Sequence, residues 1–549
     1  MFEDSIGRGE RQARAIVLVV LVIEAVWVFL HRYLPGDAAL WSLQSDLIHS
    51  HITSATNDGF SLIPFPAANV LAPYISWVFS LLFGSEVAMR LWMAFGAILL
   101  RGGAMLSLLS VLRVRDASVY YLIPVFTWSG IFFSGAYPYL FAETIGLFLI
   151  AYFLGQSSPR RFQYIVLSAG FAVVALLHGL MFLFCGVLVL TIANEQRRSV
   201  HLNQGWLSNM TSVVRIVLPG LAILLLRLFS PAPIFSVSTS GLIPTSGDGM
   251  LLFMTTVSPY VLEASYQTAN LLCLAITAFV IILVLGSLIR AFLLPMEEVS
   301  WQSRSSKAAG TILLFVSIGG LLLGGIGFQS QAFLWTAAFL ILSGSYSRGP
   351  AVRRGSIDKL LNALGFIAML AAGGMNALGT NRGAEAAFDT KTDVVRLITQ
   401  EAQVSRQERG VSKLDVHYLI DSSLYSSIQT LYIGTVSYSM TVPLYLYTDE
   451  NVIGMPSRFQ PKGGAVSGDD NVFVSPLQTI HFAKPESTFA PGVRFLAALP
   501  NGSTSSPQFG EFVKSLKDAN SVPVKHGDAQ YTLTLGTPNE LGVPGLALK

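Results

Sequence analysis

Asp46 and His49 stand three residues apart, a spacing that puts a carboxylate and an imidazole on one face of a helix. Such a pair could do acid–base chemistry on a hydroxyl. The stretch that holds them, 33–87, contains no Lys or Arg; its acids are Asp37, Asp46, Asp58 and Glu86, and its histidines are His49 and His51. Between Ala39 and Thr53, Leu40, Leu43 and Leu47 form an apolar stripe with Trp41, Ile48 and Ile52 beside it, while Asp46, His49 and Ser50 face the other way. That is the pattern of an amphipathic helix lying in a membrane interface. Asp46 is therefore the candidate general base. His49, beside it, is a candidate for a phosphate or a divalent cation, with an ordinary interfacial histidine as the alternative, because two side chains three apart make a slight metal site. Asp58, in Thr56-Asn57-Asp58-Gly59, is either a turn residue or a second carboxylate, and Asp37, after Pro35-Gly36, reads as a turn.

The candidate counter-charges lie on apolar segments. Arg90 opens one such segment and Arg101 follows eleven residues later, about three helical turns on and so on the same face. An arginine at membrane depth needs a partner or a cavity; Glu24, in the first apolar segment, is the expected partner of Arg101. Arg90 is a candidate phosphate ligand, with a salt bridge to Glu86 as the alternative. Arg227, near the outer end of a later span, is a second phosphate candidate. Glu143 and His178 fall near the outer ends of their spans and are candidate substrate-binding groups or packing residues. No Ser-His-Asp set, phosphate-cradling glycine loop or cysteine metal cluster is visible. Asp469-Asp470, between Gly and Ser residues, reads as a solvated turn, and Asn501-Gly502-Ser503 is a glycosylation pattern that would matter only in a eukaryotic lumen.

The elements that must position these groups are membrane helices. The chain is 52% hydrophobic and 12% charged, about half the charge of an average soluble domain, with a mean hydropathy of +0.57. Apolar runs are expected to span at about 15–31, 88–112, 117–135, 138–156, 162–177, 179–194, 207–229, 267–290, 309–327, 331–346 and 358–378, roughly eleven in all. Basic residues occupy alternate loops: Arg113 and Arg115, Arg160 and Arg161, Arg197 and Arg198, Arg304 and Lys307, then Arg348, Arg353 and Arg354. By the positive-inside rule these loops are cytoplasmic, and loops 33–87 and 230–266, free of Lys and Arg, are outside. The basic start (Arg8, Arg11, Arg14) before Ala15–Leu30 reads as a retained signal anchor. Counting the apolar stretch 66–84 as a span would reverse the sidedness of everything after it, so it is expected to be re-entrant or interfacial. Cys185 and Cys273 lie in apolar runs and read as packing residues. The net charge of +3 implies no nucleic-acid partner.

The sequence divides into a membrane part, 1–380, and an extracytoplasmic α/β domain, 381–549. The latter shows helical patterns at Lys391–Gln407 and Phe509–Ala519, and strand-like runs at Asp415–Ile420, Val442–Tyr447, Asn471–Val474, Val493–Leu499 and Gln530–Leu535.

The layout, with the run Leu82-Phe83-Gly84 before Arg90, the segment Trp128 to Tyr139, and Leu177-His178-Gly179, resembles the GT-C superfamily of membrane glycosyltransferases of bacterial type. The resemblance covers about the first 200 residues in sequence and the whole chain in layout. It implies a polytopic all-α membrane protein with a soluble outer domain, in the inner membrane, using a polyprenyl-phosphate-linked sugar as donor. The acceptor would be a glycan, lipid or protein. It also implies inversion at the sugar, with Asp46 as catalytic base and Arg90, Arg227 or a divalent cation on the leaving phosphate. The family often carries paired acids in the first outer loop; here they are single. The readings set beside it are a flippase for a lipid-linked glycan, against which no internal repeat is visible, and a non-catalytic subunit of a polysaccharide assembly system.

Overall fold

The computed structural model describes residues 2–31, 70–129, 137–155, most of 161–228, 267–293, 300–323, 327–347 and 359–381. It also describes the strand segments at 60–62, 414–420, 452–453, 466–468, 494–500, 514–526 and 529–537, and isolated residues between these segments.

Each expected span is matched by a helix. They are α1 (Phe2–Leu30), α3 (Ser85–Val111), α4 (Ala117–Thr127), α5 (Tyr137–Leu154), α6 (Arg161–Leu177) and α7 (Gly179–Val200). After them come α8 (Trp206–Leu228), α9 (Gln267–Leu293), α10 (Trp301–Leu323), α11 (Gly327–Ser345) and α12 (Lys359–Asn381). Among the described residues five helices, within α1, α3, α5, α7 and α12, are long and apolar enough to cross a membrane. Exposed side chains across the helices of the bundle are apolar on the outward faces, for example Ile23, Leu30, Ile165, Leu190, Ile282 and Ile367, as helices facing lipid require. Between helices, small residues let backbones approach: a Cβ on Gly102 would lie 2.4 Å from Leu21, and one on Gly310 2.8 Å from the backbone of Ile341.

The stretch expected to be re-entrant or interfacial forms α2 (Leu71–Phe83). Thirteen residues give about 20 Å of helix, too short to cross a bilayer untilted. Its Ala72, Pro73 and Ser76 are buried against the bundle, and Val78, Phe79, Leu81, Leu82 and Phe83 are exposed. Gly84 separates α2 from α3, donating its N–H to Ser80 and accepting from Ala88. Its φ of 80° and ψ of 153° form a conformation essentially limited to glycine. Gly84→Ala is therefore expected to cost about 1–3 kcal/mol although a Cβ there would meet nothing within 4 Å. The thermal midpoint of the purified protein should fall accordingly, and an unchanged midpoint would refute the strained hinge.

Two helices depart from their expected form. The middle of α3, Trp92–Leu100, is π-helical, a widened winding associated with functional or tightly packed sites; Gly96 there faces the ring of Phe141. The expected span 117–135 is not one helix: α4 starts at its N-cap Asp116, which accepts from the Ser118 N–H at 3.0 Å, and stops at Thr127 after eleven residues. Pro124 removes one donor from the last turn.

Beyond the bundle, the described strands form two sheets. One has the order β3-β2-β5-β7-β6, where β2 is Leu414–Ile420, β3 Val452–Ile453, β5 Arg494–Pro500, β6 Lys517–His526 and β7 Ala529–Thr537. β2 is parallel to β3 and β5, whereas β7 is antiparallel to β5 and β6. The strand-like runs at 415–420, 493–499 and 530–535 correspond to β2, β5 and β7. The runs at 442–447 and 471–474 and the helix at 391–407 lie outside the described residues. Of the helix expected over Phe509–Ala519, Lys514 and Ser515 are helical, Lys517–Ala519 belong to β6, and 509–513 lie outside the described residues; Pro523 of β6 is tolerated on an edge strand. Along β6 the Ser521 and Thr534 hydroxyls lie 2.9 Å apart across the strands. The second sheet pairs β1 (Phe60–Leu62) with β4 (Val466–Gly468), antiparallel, with Ser61 opposite Ser467. Three residues of the cation-free loop 33–87 are thus joined to the chain beyond the bundle.

Candidate functional site

The broken end of α4 is the chemical centre of the bundle. A helix that stops inside a protein leaves carbonyls without partners, and its carboxyl end carries partial negative charge. Arg101 of α3 answers both. One Nη donates to the carbonyls of Phe126 at 3.0 Å and Thr127 at 3.3 Å and to the Ser129 hydroxyl at 3.2 Å. The other side of the guanidinium meets Glu143 of α5, with Nε 2.9 Å from one carboxylate oxygen and the second Nη 3.1 Å from the other. Thr336 of α11 donates its hydroxyl to the same carboxylate. Arg101 and Glu143 are both fully buried. Four helices therefore converge on one charge-neutral, two-pronged pair, the geometry that best offsets desolvation.

This corrects the expected partner of Arg101. Glu24 is buried on α1 but close to the backbone of Gly373 of α12, with the indole of Trp128 as its polar neighbour. Glu143, six residues into α5, lies about 9 Å along the helix from its start and is committed to Arg101 and Thr336.

One turn earlier on α5, Tyr139 packs edge-on against His178 at 5.5 Å and against Phe333 of α11 at 5.5 Å. His178 is the only residue between α6 and α7 and serves both. Its N–H donates to Val174 at 2.8 Å, its carbonyl accepts from Phe182 at 3.1 Å, and its Nδ1 accepts from the Met181 N–H at 3.2 Å. With Nδ1 used as an N-cap, Nε2 is the atom left to meet a ligand. Beside this joint, Val70 donates to the carbonyl of Leu176 at 3.0 Å, which ties the chain entering α2 to the end of α6.

The amphipathic segment docks at the same end of the bundle. Ser45 and Ile48 are fully buried, and Ser45 donates to Ser76 of α2 at 2.9 Å. His49 is helical and exposed. Ser45 and Ile48 face inward and His49 outward, whereas Ile52, expected on the apolar face, is exposed. Asp46, Asp58 and Asp37 lie outside the described residues. Arg90 is mostly buried: its guanidinium is 3.7 Å from Glu86 one turn away and lies over the Phe29 ring at 5.9 Å. The alternative weighed for Arg90, the Glu86 pair, is thus present, at a long distance for an ion pair. Arg227 lies in the last turn of α8, with its side chain outside the described residues. No group of three or more His, Cys, Asp or Glu able to hold a metal is present among the described residues.

Sequence reasoning singled out Arg101, Glu143 and His178 but not Ser129, Thr336 or Tyr139. The available signal for the Arg101 pair was that opposite charges occur in three apolar runs; which acid meets Arg101 depends on how the helices pack.

Fold and site define a class: a helical membrane protein with five helices among the described residues able to cross a bilayer, and a β-sheet formed by the chain after the bundle. No family model matches the chain, and no curated protein matches it. Among solved structures, it is similar to the arabinofuranosyltransferase AftD from Mycobacteria, with 11% identity and a TM-score of 0.45 over 96% of this chain and 40% of that one. The chain thus spans less than half the length of AftD, at a likeness too low to establish a shared fold.

Proposed function

We propose that the chain is a membrane glycosyltransferase that moves a sugar from a polyprenyl-phosphate carrier to an acceptor at the outer face. The observation that carries this reading is the cation-free acidic loop 33–87, anchored to the bundle through Val70 and Leu176 and joined to the chain beyond it through β1 and β4. Asp46 takes the proton from an acceptor hydroxyl, whose oxygen attacks the anomeric carbon in one displacement. The bond from that carbon to the carrier phosphate breaks, and its electron pair leaves with the phosphate. Arg90, with Arg227, neutralises the departing charge; a divalent cation, if bound, would be held by His49 with Asp46 and would supply further positive charge there. His178 and Asp58 are proposed to contact substrate. Glu143 acts through Arg101 by holding the bundle beneath the site.

Purified protein in nanodiscs, given a polyprenyl-phosphate carrier bearing a labelled sugar and a panel of acceptors, should release unlabelled carrier and label the acceptor. Movement of intact labelled carrier between leaflets without sugar transfer would establish transport instead. Binding of glycan with neither activity would establish an assembly subunit.

The soluble segment is proposed to cover the first outer loop and select the acceptor. Ser61→Cys combined with Ser467→Cys, in a chain lacking Cys185 and Cys273, should cross-link through a short bifunctional thiol reagent and change gel migration. Either single cysteine should not, and no cross-link in the pair would remove the covering role.

A further inference from the structure

We propose that the seam between α1 and α12 is a binding site for a lipophilic amine, with the Glu24 carboxylate as its counter-ion. Two contacts set the seam. Trp27 Nε1 donates to the carbonyl of Ala377 at 3.2 Å, and a Cβ on Gly373 would lie 3.2 Å from Glu24 Oε1. The contacts advance together along both helices, so α1 and α12 run parallel and side by side there. Glu24 lies within Gly9–Leu30, one of the helices able to cross a membrane. It stands about 14 Å along the helix from Ala15, near the middle of an apolar layer about 30 Å thick. Arg101 is committed to Glu143. Glu24 is 7% exposed, and among the described residues neither of its buried oxygens has a hydrogen-bond partner; the Trp128 indole is the polar group beside them. A charge carried alone at that depth is costly, and a proton or a cationic ligand must offset it.

The seam opens towards the bilayer. Ile23, next to Glu24, is 59% exposed, and Leu370, one turn before Gly374, is 54% exposed. Gly374 is itself exposed, and a Cβ there would meet nothing within 4 Å. Gly373 and Gly374 thus form a notch in α12 with no side chain of their own over the carboxyl. A change of Glu24 rotamer carries the carboxylate into that notch. The chemistry of the walls selects the ligand. A lone carboxylate supplies few of the roughly six oxygens that a hard metal cation takes. An ammonium needs one counter-ion and is favoured beside an aromatic ring, here Trp128. Asn376, fully buried one turn after Gly373, adds an amide on the same face of α12. The apolar tail of such an amine lies along Ile23 and Leu370, as a lipid chain would.

The test uses the full-length protein in nanodiscs and dicyclohexylcarbodiimide, a reagent that reaches carboxyl groups from the bilayer. A Glu24 oxygen bonds to the central carbon of the reagent while the acid's proton moves to one of its nitrogens, and the adduct rearranges to a stable N-acylurea. Peptide mass spectrometry should find Glu24 modified. N,N-dimethyldodecylamine, a tertiary amine that cannot become an amide, should slow the modification about tenfold when present at about ten times its dissociation constant. Dodecanol, with the same chain and no charge, should not. The amine should also raise the thermal midpoint of the wild type and of Leu370→Ala, and Glu24→Gln should abolish that shift. No modification of Glu24 overturns the proposal, as does a midpoint shift that survives Glu24→Gln. Equal protection by dodecanol, or protection by sodium or potassium chloride alone, overturns the ligand class. None of these readouts involves sugar transfer, so the site stands or falls apart from the transferase reading.

Discussion

Asp46→Asn is expected to lower sugar transfer by about 10²–10⁴-fold, the usual worth of a positioned general base. Asn keeps the size and most hydrogen-bonding capacity of the side chain but cannot take a proton at neutral pH. The helix should stay docked, because its buried contacts run through Ser45 and Ile48. Binding of the lipid donor should therefore persist while turnover collapses. The measurement is transfer from labelled carrier under single-turnover conditions, with donor binding followed separately. Near-wild-type turnover by a folded Asp46→Asn protein would dismiss Asp46 as the base. The same assay on Asp58→Asn addresses the second carboxylate, for which a smaller loss is expected.

Arg101→Met should be the most damaging single change to the fold. It leaves the Glu143 carboxylate buried with Thr336 as its remaining named partner, and it removes the donor to the Phe126 and Thr127 carbonyls. Breaking a buried pair in this way typically costs about 3–5 kcal/mol. Glu143→Gln should cost less, since an amide oxygen can still accept from Thr336 and Arg101. Replacing both members, Arg101→Met with Glu143→Leu, removes the stranded charge and should recover part of the loss, with the uncapped end of α4 accounting for the rest. Thermal unfolding in a mild detergent measures all four proteins. A single Arg101→Met variant within about 1 kcal/mol of wild type would contradict the role assigned to the pair. So would a double variant less stable than the single one.

The two experiments bear on different links between sequence and function. Asp46 is proposed from its face of an amphipathic pattern, a property that adjacent residues specify. Arg101 was legible as a residue in need of a partner, because a cation in an apolar run is costly whatever the fold. Its partner was not legible. Glu24 and Glu143 both lie in apolar runs, and nothing in one dimension says which of α1 and α5 presents its acid to α3. The break in α4 was concealed for a related reason: residues 117–135 are apolar enough for one span, and the early stop depends on a guanidinium from another helix capping its last carbonyls.

The segment after the bundle shows the same division. Alternating apolar residues marked β2, β5 and β7, since a strand half-buried in a sheet repeats every two residues. The pattern at Phe509–Ala519 pointed to a helix, which Lys514 and Ser515 adopt, but the chain from Lys517 onward pairs with β7. β-structure is settled by the partner strand more than by local preference.

By itself the sequence determined that this chain is built of apolar helices, where its cations collect, and which loop is acidic and free of them. Those are properties of composition and short-range period, and a membrane enforces them segment by segment because it supplies no other hydrogen-bond partners. Only the tertiary structure decided that Arg101 pairs with Glu143, that β1 joins β4, and that β2 lies between β3 and β5. Each of these contacts joins residues on different elements, and its energy depends on distances and angles that exist only once the helices and strands have packed.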